Sequence, residues 1–381
     1  MKQLFGLTIT LILSVTFSMG QTNLQNDTSL VFKINYHLQS FDDTEDYQKL
    51  LSSLNGLLKT TNLSDTSNSY WIQSELKKYK DPYRDLFGLQ YSVKYKTVNF
   101  YKLTLLEIIR TRIKYQYIIK LAYIGPDTLK ESTIKAIYNI IAVKQSDGFY
   151  KFRSMLGERT ANWHTTTVGT ITYIYKDKFD RELAEKSNQF NIDIAKKFNT
   201  KPISIIYYKC KNAIELFNIK GFDYNTMMYI DTTGARVEGD NTIFAANNSE
   251  WYPHEFVHFY TPTDVNSPFQ RIISEGYATY LGGSGGKPIE EALKTTNNFY
   301  KKYPHRDILT DLENEYRING NMEVIYPIGR LICKLLDEKL GFEGIKQIFN
   351  DTDFYKAIER SLGIKKENLS VFLKTELAKY K

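Results

Sequence analysis

The chain has 381 residues, 42% hydrophobic and 24% charged, with 29 Tyr and 22 Phe; this composition argues for packed, ring-rich cores and against disorder over most of its length. A formal net charge of +7, with Lys and Arg scattered and no nucleic-acid motif beside them, argues against a nucleic-acid partner. Two cysteines, Cys210 and Cys333, are too few for a disulfide-built scaffold, and the sequence leaves open whether they pair or stay as buried thiols.

At the start, Lys2, the apolar run 4–17 and the small-residue stretch Ser18-Met19-Gly20 read as an export signal over 1–20, giving a mature chain from Gln21. The run is shorter than the roughly 20 residues of a membrane span, and no later segment is apolar enough, so a secreted or extracytoplasmic protein without stable membrane insertion is expected. Residues 21–45 are polar and read as a loose terminus. Apolar spacing predicts helices over 47–58 and 70–79 around a polar tract at 60–69. Strands are predicted at 89–95, 112–124 and 136–143, with turns at Gly125-Pro126 and Asp147-Gly148. Residues 21–155 therefore form a smaller α+β domain in this reading, with no catalytic signal.

The second domain, 156–381, opens with a predicted strand over 166–175, a helix over 180–198, and strands at 202–208, 226–230 and 241–246, with Gly234 and Gly239 at turns. From 249 the pattern turns helical, around 250–260, 268–281, 288–303, 324–338, 343–350, 352–361 and 368–379. A mixed sheet thus precedes a mainly helical region, and the chain is assigned to the α+β class.

The sharpest signal lies at the junction, in His254-Glu255-Phe256-Val257-His258. Two histidines four apart on a helix put both imidazoles on one face, where they can share a cation while Glu255 addresses a water beside it. Imidazoles suit Zn²⁺. Asn248 or Ser249 is the expected cap and Thr261-Pro262 the expected end. Two surface histidines on a solvated helix are the plain alternative. A catalytic zinc commonly takes a third protein ligand, and Glu275, in Ser274-Glu275-Gly276-Tyr277-Ala278, follows His258 by 17 positions. Its helix is expected to start at Pro268 and stop at Gly282-Gly283, with the 261–267 loop reversing the chain and Gly276 allowing a close helix approach.

Together these stretches resemble the gluzincin peptidases, the zincins whose third ligand is a glutamate on a following helix, and within them a broad group related to the M1 aminopeptidases. The resemblance covers roughly residues 165–381. It implies a zincin-like catalytic domain, one catalytic Zn²⁺ held by His254, His258 and Glu275, Glu255 as general base, and a peptide or protein substrate. It also implies that the strand at 241–246 is the edge that holds an extended substrate. The Gly-rich exopeptidase motif has no convincing match, Gly234-Ala235-Arg236 being a poor substitute, so the cleavage mode is open. Many gluzincins carry an acid four positions after the ligand glutamate; Thr279 stands there, with a hydroxyl as the weaker substitute.

Tyr326, opening the apolar stretch Tyr326-Pro327-Ile328-Gly329, is the preferred oxyanion donor, in line with related enzymes, with Tyr316 and Tyr277 as weaker rivals. His164 and His305 read as structural or surface histidines, and Asp231 and Asp240 as minor candidates for a substrate amine. The run Gly282-Gly283-Ser284-Gly285-Gly286 lacks the surroundings of a phosphate cradle, Lys287 notwithstanding, and reads as a flexible connection near the cleft. The rival functions are a zinc hydrolase of a non-protein envelope amide and a catalytically weak binding or envelope-assembly protein.

Overall fold

A computed structural model describes residues 30–36, 38, 43–60, 68–79, 82, 84–86, 88–92, 94–126, 132–229, 234–238, 241–261, 268–284, 289–320, 322–349, 351 and 353–381. The expected export signal, Asp231, Gly239, Asp240, Pro262 and residues 285–288 lie outside this set. The described residues form an α+β protein with two large sheets, a two-stranded ribbon and twelve α-helices.

The first sheet is a meander. After β1 (Lys33–Ile34), α1 (Thr44–Thr60) and α2 (Gln73–Lys78) come β2 (Lys102–Arg110), β3 (Gln116–Pro126), β4 (Ser132–Lys144) and β5 (Tyr150–Arg153), in spatial order β1-β2-β3-β4-β5. Tyr47, Leu50, Leu51, Leu54, Leu57 and Leu58 of α1 recur at helical spacing and are buried, with α1 packed on β5. The strand expected at 89–95 is instead turns with a lone bridge from Ser92 to Thr97. The strand that does form, β2, pairs along β3 from Lys102 opposite Ile124 to Arg110 opposite Tyr117, and it is this pairing that makes it a strand.

The short α3 (Leu156–Arg159) leads to β6 (His164–Val168) and β7 (Ile171–Tyr175). These replace the single strand expected over 166–175, because Gly169 takes a left-handed φ of 57° and reverses the chain into a hairpin. Then follow α4 (Arg181–Lys197), β8 (Ile205–Lys209), α5 (Ala213–Lys220), β9 (Phe222–Asn225), β10 (Ala235–Glu238) and β11 (Thr242–Ala245). The second sheet runs β10-β11-β8-β7-β6, with β11, β8 and β7 parallel and an antiparallel strand at each edge. The strand expected at 226–230 is a 3₁₀ turn over Thr226–Tyr229. Contacts cross position 155: β9 pairs with β4, and Tyr208, Leu216, Phe217 and Phe244 join the core of the first sheet.

The remainder is helical: α6 (Pro253–His258), α7 (Pro268–Gly282), α8 (Ile289–Lys302), α9 (Ile308–Glu313), the ribbon β12 (Arg317–Ile318) and β13 (Met322–Glu323), α10 (Ile325–Phe349), α11 (Phe354–Leu362) and α12 (Lys366–Leu377). The helices expected at 324–338 and 343–350 are two parts of α10 on either side of Gly341, whose φ of 64° breaks the helical path. Cys210 sits in the first-sheet core and Cys333 in the helical core, so the two thiols are free and apart. No helix among the described residues is long and apolar enough to cross a membrane.

Candidate metal centre

The two middle positions of the H-E-x-x-H stretch anchor α6 in different cores. Phe256 packs with Tyr207 and Ala184 between the second sheet and α4, whereas Val257 packs with Ile273 and Ile328 among the helices. Both are fully buried, so the short helix is clamped from two sides with its histidine face directed between them. The approach to it is fixed by Glu250, which is 1% exposed. Its carboxylate accepts from Lys209 Nζ at 2.8 Å and Asp180 N–H at 3.0 Å, and its backbone carbonyl accepts from Ser187 Oγ at 2.6 Å and Tyr173 OH at 3.3 Å. The expected capping by Asn248 or Ser249 does not occur. Pro253 at the first helical position sets the start, Tyr252 is the cap residue without a side-chain bond, and Ser249 Oγ serves Trp251 N–H instead.

His254, His258 and Glu275 come together. Their ligating atoms all lie within 4.8 Å of one another. The two Nε2 atoms are 3.1 Å apart, and Glu275 Oε2 stands 3.3 Å from His254 Nε2 and 3.7 Å from His258 Nε2. His254 Nδ1 donates to the Gly283 carbonyl at 2.8 Å, and His258 Nδ1 faces Ser274 Oγ at 3.4 Å, which turns both Nε2 atoms inward. Two imidazole lone pairs and a carboxylate in that space repel unless a cation or a proton lies among them. Tetrahedral ligands on zinc bonds of about 2.0–2.1 Å sit about 3.3 Å apart. The three separations bracket that spacing, so the donor set fits a zinc-like ion in size and chemistry.

Glycines make the convergence possible. A Cβ on Gly276 would fall 2.4 Å from the backbone of Gly329, so α7 and α10 cross at main-chain contact beside Glu275. A Cβ on Gly282 would fall 2.4 Å from His254 N, so the end of α7 abuts the start of α6. The described part of the glycine run therefore aligns His254 through the Gly283 carbonyl. Neither that carbonyl nor Ser274 was singled out for this role in the sequence, because a backbone acceptor leaves no side-chain signal.

Burial sets the protonation chemistry. It raises the Glu255 carboxyl to about 7, with the Glu275 charge adding and His254 opposing. No described residue hydrogen-bonds the Glu255 carboxylate, and the residue is 8% exposed. Burial also drives His258 down to about 4, helped by His254. For His254 burial pulls downward, but the Glu275 bond, the Glu255 and Glu275 charges and the Gly283 carbonyl outweigh it, and the value rises. Glu275 is pushed up by burial and more than returned by His254, His258 and Arg271, ending below the ordinary range.

The other sequence candidates separate cleanly. The Tyr326 ring lies 6.0 Å from that of His254, with its phenol raised by burial and by the charges of Glu275 and Glu323. Tyr277 is buried among Phe198, Phe342 and Phe349, and Tyr316 lies under the Arg306 guanidinium at 3.9 Å. His164 and His305 are exposed. The Thr279 hydroxyl donates to the Glu275 carbonyl at 2.7 Å within its own helix and so does not orient an imidazole. The strand expected as the substrate edge, β11, is paired on both sides; β10 is the edge and packs beside α6. Sequence patterning had no means to rank the two, since edge position is decided by pairing partners.

No protein-family model and no curated protein matches the sequence. Among solved structures, the chain is similar to a crystal structure of an M1 zinc metallopeptidase from Deinococcus radiodurans, a mutant bound to a Tyr-Ser-Ala substrate, at 11% identity and a TM-score of 0.31. The match covers 73% of this chain and 64% of that one, so the chain spans less than two thirds of the length of the enzyme it matches.

Proposed function

We propose that this chain is a secreted, zinc-dependent metallopeptidase of the gluzincin kind, with 156–381 as its zincin-like catalytic domain and the smaller α+β domain at 21–155 joined to it through β9. His254, His258 and Glu275 are the ligands of one Zn²⁺, and Glu255 is the general base. The observation that carries this reading is the convergence of two imidazole Nε2 atoms and a carboxylate oxygen within 4.8 Å, with Glu255 buried next to His254 on the same helix. When bound, zinc supplies a Lewis acid that polarises a carbonyl and lowers the pKa of water.

The chain's own residues account for the remaining requirements. Glu255, its carboxyl raised to about 7 by burial, is poised to take a proton from the attacking water near neutral pH and to pass it to the leaving amine. Tyr326 keeps its proton because burial and neighbouring carboxylates raise it, so its OH is a donor for a developing oxyanion. The edge strand β10, beside α6, offers main-chain groups to an extended peptide. Incubation with an unbiased peptide library, read by mass spectrometry, tests the reading. Cleavage by the zinc-loaded protein and a loss of about 10²–10⁴-fold in Glu255→Gln, with zinc retained, are expected; undiminished turnover in that variant would reject Glu255 as the base.

A further inference from the structure

The helix that presents Tyr326 carries a second polar group that the proposed chemistry does not use. Arg330 follows Tyr326 by one turn on α10 and shares its face. Gly329, between them, is pressed onto α7, where an added Cβ would come within 2.9 Å of Gly276 Cα. Arg330 therefore leaves α10 where that helix crosses α7. Its guanidinium reaches toward Glu290, on the first turn of α8 and just past the glycine run whose Gly283 carbonyl orients His254. Arg330 is thus framed by Tyr326 on one side and by the end of α7 on the other.

In that position the guanidinium is nearly enclosed and poorly satisfied. The side chain is 11% exposed, and its Nε and Nη1 atoms are buried without a hydrogen-bond partner. Only Nη2 finds a carboxylate, Glu290 Oε1 at 3.5 Å, at the limit of hydrogen-bond length and from a side chain 69% exposed. The other groups that feel its charge are Tyr280 of α7, whose phenol is raised and thus uncharged, and Lys334 one turn along α10, which repels it. Enclosing a guanidinium with unused donors is unfavourable relative to an apolar side chain of similar size. A planar cation with free donors is the group best suited to a carboxylate.

We infer that Arg330 is the carboxylate-recognition residue of the cleft: it binds a substrate carboxylate, from the peptide C-terminus or an acidic side chain, and sets the register of the substrate against the His254–His258–Glu275 cluster. The word substrate rests on the peptidase reading above; the anion-binding role does not.

Two measurements on the full chain test it. Arg330→Met removes the enclosed charge and keeps the volume, so the Tm of the ligand-free protein rises, whereas a structural Arg would make it fall. Calorimetric titration of zinc-loaded Glu255→Gln protein with trialanine, trialanine amide and an Ala-Ala-Glu amide then reads recognition directly. At least about tenfold tighter binding of a carboxylate-bearing peptide over trialanine amide is expected, lost in the Arg330→Met double variant and partly restored by Arg330→Lys. Preference for trialanine marks the terminal carboxylate as the source, and preference for the glutamate peptide marks the side chain. A lowered Tm, no carboxylate preference, or a preference that survives Arg330→Met would overturn the inference. An Arg330-dependent preference in a protein that cleaves no peptide would keep this role and remove the peptidase reading; cleavage without the preference would do the reverse.

Discussion

Two sets of buried charge flank α6, and the chain treats them in opposite ways. On the sheet side Lys209 and Glu250, 8% and 1% exposed, close on each other at 2.8 Å. The remaining donors and acceptors go to the Lys178 carbonyl, Asp180 N–H and two hydroxyls on the Glu250 backbone. On the helical side the Nε2 atoms of His254 and His258 stand 3.1 Å apart, no described residue hydrogen-bonds the Glu255 carboxylate, and on α10 Arg330 keeps two idle nitrogens. A fully paired buried ion pair serves shape, since every charge is answered inside the chain. Polar groups left unanswered on the other side are those a bound ion or ligand would satisfy.

That contrast can be broken from either side. The largest expected effect is on the scaffold: Glu250→Ala strands Lys209 in the interior and lowers unfolding stability by about 3–5 kcal/mol, measured by denaturant titration. The double change Lys209→Met with Glu250→Leu recovers most of the loss. A Glu250→Ala cost below about 1 kcal/mol would show that this pair does not hold α6 in place. A smaller effect belongs to the open side and concerns pH. In the metal-free protein His254 is raised and Glu255 stands at about 7, so both hold protons into the neutral range that a divalent cation must displace. Zinc affinity therefore rises as pH increases from mildly acidic toward 8, and binding near pH 6.5 releases about one proton or more, read as a buffer-dependent heat in calorimetry. A heat independent of the buffer would contradict the protonation pattern.

Legibility of the sequence followed the range of the forces involved. The H-E-x-x-H spacing, Pro268 at a helix start and Gly276 at a helix crossing are local signals, and the elements they predict are present. Tyr326 was chosen by its neighbours in sequence and lies beside His254. The elements that went unread are decided by pairing: β2 exists as a strand by pairing with β3, β9 crosses from the second half to β4, and β10 takes the edge that β11 was expected to hold. For α5 the signal was present and unused, since Asn212 caps it and Gly221 ends it at φ 117°, but eight residues make a weak periodic pattern. Arg330 was unreadable because an unanswered charge becomes visible only once its surroundings are known.

Metal analysis addresses the central claim most directly. The protein, exhaustively dialysed and then exposed to zinc with the excess removed, is expected to hold about one ion per chain, and His254→Ala and Glu275→Ala, shown folded by circular dichroism, are expected to lose most of it. Full zinc occupancy in both variants, or none in the parent, would contradict the assignment of His254, His258 and Glu275 as a metal centre.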